Sequence, residues 1–208
     1  MKVGRLPYVS LALAAFLVTV YAGHINLPPL SAVSLTRVPH SLLTYVAVHA
    51  GATHLCINVA VVLCAGAVAE KLGGHMRTLL IALISIPVAG LVFCATTAGI
   101  NPDTTLEGAS SVALALAAYA AAMQRTRLPL MLLGLLCAAM IFGPNAGGGI
   151  AHCTGFATGA VAAMLHSRSI SRRTSARDTE RCRIRRKAED SGYSSLSEHE
   201  RKILNTPQ

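Results

Sequence analysis

Met76-Arg77-Thr78-Leu79-Leu80-Ile81-Ala82-Leu83-Ile84-Ser85-Ile86-Pro87-Val88-Ala89-Gly90-Leu91-Val92-Phe93-Cys94-Ala95-Thr96-Thr97-Ala98 carries one arginine at its start and no charge after it. A helix needs about 20 mostly apolar residues to cross the hydrocarbon core of a bilayer, and this run supplies them. Comparable runs flank it, at residues 6–22 and 46–69 before it and at 108–123, 128–142 and 147–165 after it. Turn formers separate them: Asn26-Leu27-Pro28-Pro29, Gly73-Gly74, Asn101-Pro102-Asp103, Pro129 and Gly143-Pro144-Asn145. The fold class that follows is all-α, a polytopic membrane bundle of six transmembrane helices.

Composition agrees with that reading. Of 208 residues 53% are hydrophobic, and the mean hydropathy is +0.54, values that a soluble domain of this length rarely reaches. Up to Leu165 the only acids are Glu70, Asp103 and Glu107; from His166 onward the chain is polar and dense in arginine. Residues 1–166 therefore read as one membrane domain. Residues 167–208 read as a basic cytoplasmic tail, partly disordered, with a short C-terminal helix. The six cysteines are scattered, without a CxxC pair or a Cys/His cluster of metal-ligand spacing. They read as small fillers of helix interfaces, and neither a metal nor another cofactor is expected.

Basic residues set the orientation. With a cytoplasmic N-terminus, Lys2, Arg5, Lys71, Arg77, Arg125, Arg127 and the basic residues of the tail all lie inside, and only Arg37 lies outside. An even number of spans and two cytoplasmic termini follow, in a multi-pass integral membrane protein. A competing reading makes residues 1–22 a secretory signal cleaved after Ala22. The run is long for one, so its retention as the first span is the expectation.

Polar side chains inside such spans are expensive and tend to mark function. His54, Asn58, Ser110 and His152 are the ones that stand out, and the topology brings all four to one layer near the external face. His54 and Asn58 are one turn apart on one helical face; taken alone they are as readily helix–helix hydrogen-bonding glue. Ser110, in Glu107-Gly108-Ala109-Ser110-Ser111, opens a helix, where a lone serine is usually a cap. His152 shares a face with Gly155 and Gly159, which lets another backbone come close. Ala113, Ala117 and Ala121 of the fourth helix offer the matching small residues. Asp103 and Glu107 fall in the outer loop and Glu70 at the cytoplasmic end, so a Ser–His dyad is expected rather than a triad.

In this order and on these helices, the residues resemble the rhomboid intramembrane serine proteases. The resemblance covers residues 42–165. Leu43-Thr44-Tyr45, His49 and His54-Leu55-Cys56-Ile57-Asn58 resemble the family's H-x-x-x-N helix and its lead-in, and Glu70 with Gly74 its E-x-x-x-G turn. Gly108-Ala109-Ser110 resembles the G-x-S motif, and Ala151-His152-Cys153-Thr154-Gly155 with Gly159 the A-H-x-x-G-x-x-x-G helix. The resemblance implies an intramembrane serine endopeptidase in which Ser110 attacks and His152 takes its proton. His54, Asn58 and the Ser110 N–H would stabilise the oxyanion, with Gly108, Gly155 and Gly159 in packing roles. It implies transmembrane protein substrates cut near the outer face, entering past residues 143–149 and the short fifth helix.

There are departures from the family. Ser111 replaces the usual glycine, so its side chain is expected to narrow the site. Leu114 stands where an aromatic often packs on the histidine, and the first outer loop lacks its Trp-Arg pair. The main alternative is a rhomboid-like pseudoprotease that binds transmembrane clients without cleaving them. A small channel or transporter would show an inverted repeat or more intramembrane charge, and the sequence has neither. From Arg168 onward the tail has eleven basic and six acidic residues, net +5. Membrane lipids rather than nucleic acid are its expected partner. Within it, Ser197 and Glu200 fit a capping box that opens a helix.

Overall fold

The computed structural model describes residues 6–124 and 146–205. The described elements, in chain order, are α1 (Tyr8–Ala22), α2 (Ala32–Arg37), α3 (Ser41–Thr44) with a 3₁₀ turn at Tyr45–Ala47, α4 (Ala52–Gly73), α5 (His75–Thr97), α6 (Ser110–Met123), α7 (Ala146–Ser191) and α8 (Glu198–Asn205). The chain is all-α. The described residues hold no strand beyond one isolated antiparallel bridge between Leu30 and Leu106. On length and composition, helices over Ala52–Gly73, His75–Thr97 and Gly148–Ser191 can cross a membrane, and Tyr8–Ala22 and Ser110–Met123 are shorter apolar helices. The span expected at 128–142 lies outside the described residues, as do Arg125, Arg127, Pro129, Cys137 and Gly143-Pro144-Asn145.

Helix boundaries depart from the apolar runs where polar chemistry intervenes. α4 begins at Ala52 rather than at residue 46, because Val48–Gly51 is irregular after the 3₁₀ turn. α7 extends far past residue 165. Its polar stretch to Ser191 is helical, where the sequence reads as a partly disordered tail. Residues 146–149, read as part of a glycine-rich loop, form the first turn of α7.

α4 is the central helix and packs against α1, α5 and α6. Its Glu70 carboxylate accepts hydrogen bonds from the Val9 N–H at 3.1 Å and the Ser10 N–H at 2.8 Å. It also meets the Ser10 hydroxyl and the His75 ring. The first backbone N–H groups of a helix have no intrahelical acceptor, so a carboxylate from a neighbouring helix caps α1. Tyr45, Phe93, Leu116 and Tyr119 are fully buried between the helices. Leu80, Leu83, Ile84 and Leu91 are about half exposed on α5. Such an apolar face is a liability in water and suits lipid. Among the described cysteines only Cys94 is buried, while Cys56 and Cys64 are exposed, so these two fill no interface.

The chain divides into two compact units, Met1–Met164 and Leu165–Gln208. In the second, Ile184 and Leu196 are buried. α8 opens with the expected capping box: Glu200 N–H donates to Ser197 Oγ at 3.2 Å, and Ser197 N–H to Glu200 Oε2 at 2.8 Å. The same carboxylate accepts from Lys187 Nζ at 2.9 Å. Together these hold the Glu200 carboxyl down at a pKa of about 2, the Ser197 N–H contributing most.

Candidate active site

The segment that delivers Ser110 is fixed before α6 begins. Leu106 and Leu30 exchange backbone hydrogen bonds of 3.0 and 2.7 Å, and the Gly108 N–H donates to the Tyr45 carbonyl at 3.0 Å. Gly108 then takes φ +96°, a backbone region that side chains disfavour. Ser110 follows as the first residue of α6.

His152 reaches it from α7, with Nε2 at 2.7 Å from Ser110 Oγ. The approach of the two helices rests on glycines. A Cβ added to Gly155 would stand 2.8 Å from Ser111 Cα, and one added to Gly159 would stand 2.9 Å from Ala115 Cα. The seam on α6 is thus Ser111 and Ala115, not the Ala113–Ala117–Ala121 face. The reason is geometric. With His152 one turn above Gly155, its ring reaches Ser110 only if the glycines sit over the adjacent stripe of α6.

His54 and Asn58 lie on α4 as expected. Asn58 is buried, and its Nδ2 donates to the His54 carbonyl at 3.0 Å, which uses one of its two N–H bonds. The His54 ring lies against Gly108, and His49 meets it edge-on at 5.2 Å between ring centroids. His54, Asn58, Ser110 and His152 line one cavity of about 740 Å³, together with Glu107, Thr97, Asn101 and Ile150. That is the size of a pocket for a drug-sized ligand or a short stretch of chain. A hydroxyl hydrogen-bonded to an imidazole in a cavity is the geometry of a nucleophile and its base.

One expectation about a neighbouring side chain is corrected. Ser111 does not narrow the cavity. Its hydroxyl is buried and pairs with Tyr45 Oη at 3.1 Å, while Tyr45 Oη also donates to the Ile86 carbonyl at 3.0 Å. Glu107 lies in the loop before α6, as expected, and also lines the cavity. Tyr45 is the residue the sequence undervalued. The signal was available, since a tyrosine in an apolar lead-in needs a partner for its hydroxyl. Leu114 is half-buried. Of the expected entrance, Gly148 lines the cavity and residues 143–145 lie outside the described residues.

A family model, the Rhomboid domain, matches residues 36–169. The match covers more than half of the chain and includes His54, Asn58, Ser110 and His152. No curated protein matches the chain.

Proposed function

Because this chain belongs to the rhomboid family and is an integral membrane protein, we propose that it is a serine endopeptidase that cleaves transmembrane segments of other membrane proteins near the outer face. The observation that carries the proposal is the 2.7 Å approach of His152 Nε2 to Ser110 Oγ in a cavity lined by two further polar side chains of α4. Ser110 Oγ attacks the scissile carbonyl carbon as His152 Nε2 takes its proton. The oxyanion is held by the Ser110 N–H, unclaimed within α6 because it opens the helix, and by His54 and Asn58. The C–N bond then breaks and His152 returns the proton to the leaving amine. Water, activated by His152, hydrolyses the acyl-enzyme in the same way. Each oxyanion donor is worth about 3 kcal/mol of transition-state stabilisation.

The proposal includes a six-helix bundle over residues 1–166, with residues 128–142 as the fifth span. The basic residues then put both termini in the cytoplasm of a bacterial cell and the tail against anionic lipid. The substrate is a transmembrane segment that presents extended backbone, since a protease cannot cut a closed helix.

The test uses vesicles that hold the full chain, a tagged single-span substrate and a fluorophosphonate probe. Labelling of Ser110 and cleavage that both disappear in Ser110→Ala and His152→Ala are expected. Cleavage that persists in either variant would remove the dyad. Substrate that co-purifies with the parent chain uncut, without labelling of Ser110, would make it a client-binding pseudoprotease.

A further inference from the structure

Glu107 lines the cavity, and the proposed reaction does not use its carboxylate. Among the described residues that line the cavity, it is the only Asp, Glu, Lys or Arg. It is half-buried, and among the described residues it has neither a hydrogen bond nor an ion pair. A carboxylate partly removed from water without a partner is unfavourable. Its position is nevertheless fixed. Leu106 on one side is bonded to Leu30 in both directions, and Gly108 on the other donates to Tyr45. Glu107 therefore holds a set place, one turn of chain ahead of Ser110, and cannot swing away with a loose loop.

We propose that Glu107 is a specificity-determining residue that selects client segments with a Lys or Arg near the bond presented to Ser110. The inference rests on the reading that this cavity receives an extended client segment. A cation on that segment gives Glu107 the partner it lacks, in a cavity whose apolar walls strengthen the attraction. An acidic residue at the same place meets like charge. Complementary charge of this kind discriminates between partners by both attraction and repulsion. The amides and threonines of the lining, among them Asn58, Thr97 and Asn101, are neutral and give no such preference.

The experiment measures binding without requiring cleavage. The full chain carrying Ser110→Ala is placed in vesicles of zwitterionic lipid, so that surface charge is absent. Three fluorescent single-span peptides, identical except for Lys, Leu or Glu beside the scissile position, are titrated. The Lys peptide is expected to bind at least about tenfold more tightly than the Glu peptide. Adding Glu107→Gln should bring the three together, and Glu107→Lys should reverse their order. A thermal melt of each variant checks that it is folded. A Lys-over-Glu ratio that Glu107→Gln leaves intact overturns the inference, as does binding without charge preference or no binding of any peptide. The same peptides with Ser110 present separate this result from the reaction. If none is cut while the charge preference holds, the endopeptidase reading fails and Glu107 keeps its role.

Discussion

Gly108 and His54 occupy space that only one side chain can fill. A Cβ on Gly108 would stand 2.6 Å from His54 Cε1 and 2.8 Å from His54 Nε2, and Gly108 also holds φ +96°. Both the backbone and the neighbour demand glycine there. Gly108→Ala adds strain of about 1–3 kcal/mol and must displace the imidazole from the cavity wall. The rate of Ser110 labelling by a fluorophosphonate is expected to fall about 100-fold, with helix content by circular dichroism unchanged. His54→Ala should lose a similar amount, and the double variant little more than either, since both remove the same group. Additive losses would mean that Gly108 acts on something other than His54.

Ser111 and Tyr45 test whether the residue after Ser110 belongs to the cavity or to its support. The Ser111 hydroxyl faces Tyr45 Oη at 3.1 Å. Ser111→Ala should therefore cost about 1 kcal/mol of stability and leave the labelling rate essentially unchanged. Tyr45→Phe should cost more, about 1–3 kcal/mol, because it leaves the buried Ile86 carbonyl without the tyrosine's hydrogen bond. A labelling rate that rises sharply in Ser111→Gly would put the side chain back in the substrate's path.

The glycine seam predicts a graded effect. Gly155→Ala and Gly159→Ala each drive a methyl into α6 backbone, at 2.8 Å from Ser111 Cα and 2.9 Å from Ala115 Cα respectively. Each should destabilise by about 1–3 kcal/mol, visible as a lower thermal midpoint. Gly155 lies one turn from His152 and Gly159 two, so a wedge at Gly155 should reduce Ser110 labelling much further. Equal loss of labelling from both would show that α7 moves as a rigid rod and that the wedge is not local.

That His54, Asn58, Ser110 and His152 would line one cavity was legible in the sequence, because burying polar groups in lipid is costly. Few such groups survive there, and topology alone sorted His54, Asn58, Ser110 and His152 into one layer. Their fine geometry was not legible. Apolar periodicity says which face of α6 is small, but Ala113, Ala117 and Ser111 are all small. Only the reach of His152 to Ser110 selects the stripe that the glycines cover. That Glu107, in its loop, would line the cavity was not legible for a related reason. A loop residue's position depends on what pins its neighbours, and the Leu30–Leu106 bridge joins segments too far apart in sequence for any local pattern to reveal. The polar end of α7 was misread because it lacks the apolar stripe by which helices are recognised.

The second unit provides a pH prediction that is independent of catalysis. Glu200 accepts from the Ser197 N–H at 2.8 Å and from Lys187 Nζ at 2.9 Å. These partners favour the charged carboxylate, so its folded value of about 2 lies below the ordinary 4.5. Their stabilisation is accordingly complete above the ordinary value and is lost as pH falls from there towards about 2. Hydrogen exchange on the full chain in micelles should show α8 protected at neutral pH and progressively opened across that acidic window. Arg183 also holds the Glu180 carboxyl below its usual range, so acid acts on two groups at once. Glu200→Gln separates them: α8 should be less protected at neutral pH and should lose little more on acidification. An α8 that stays equally protected in Glu200→Gln at neutral pH would show that Ile184 and Leu196 hold this unit together without the charge.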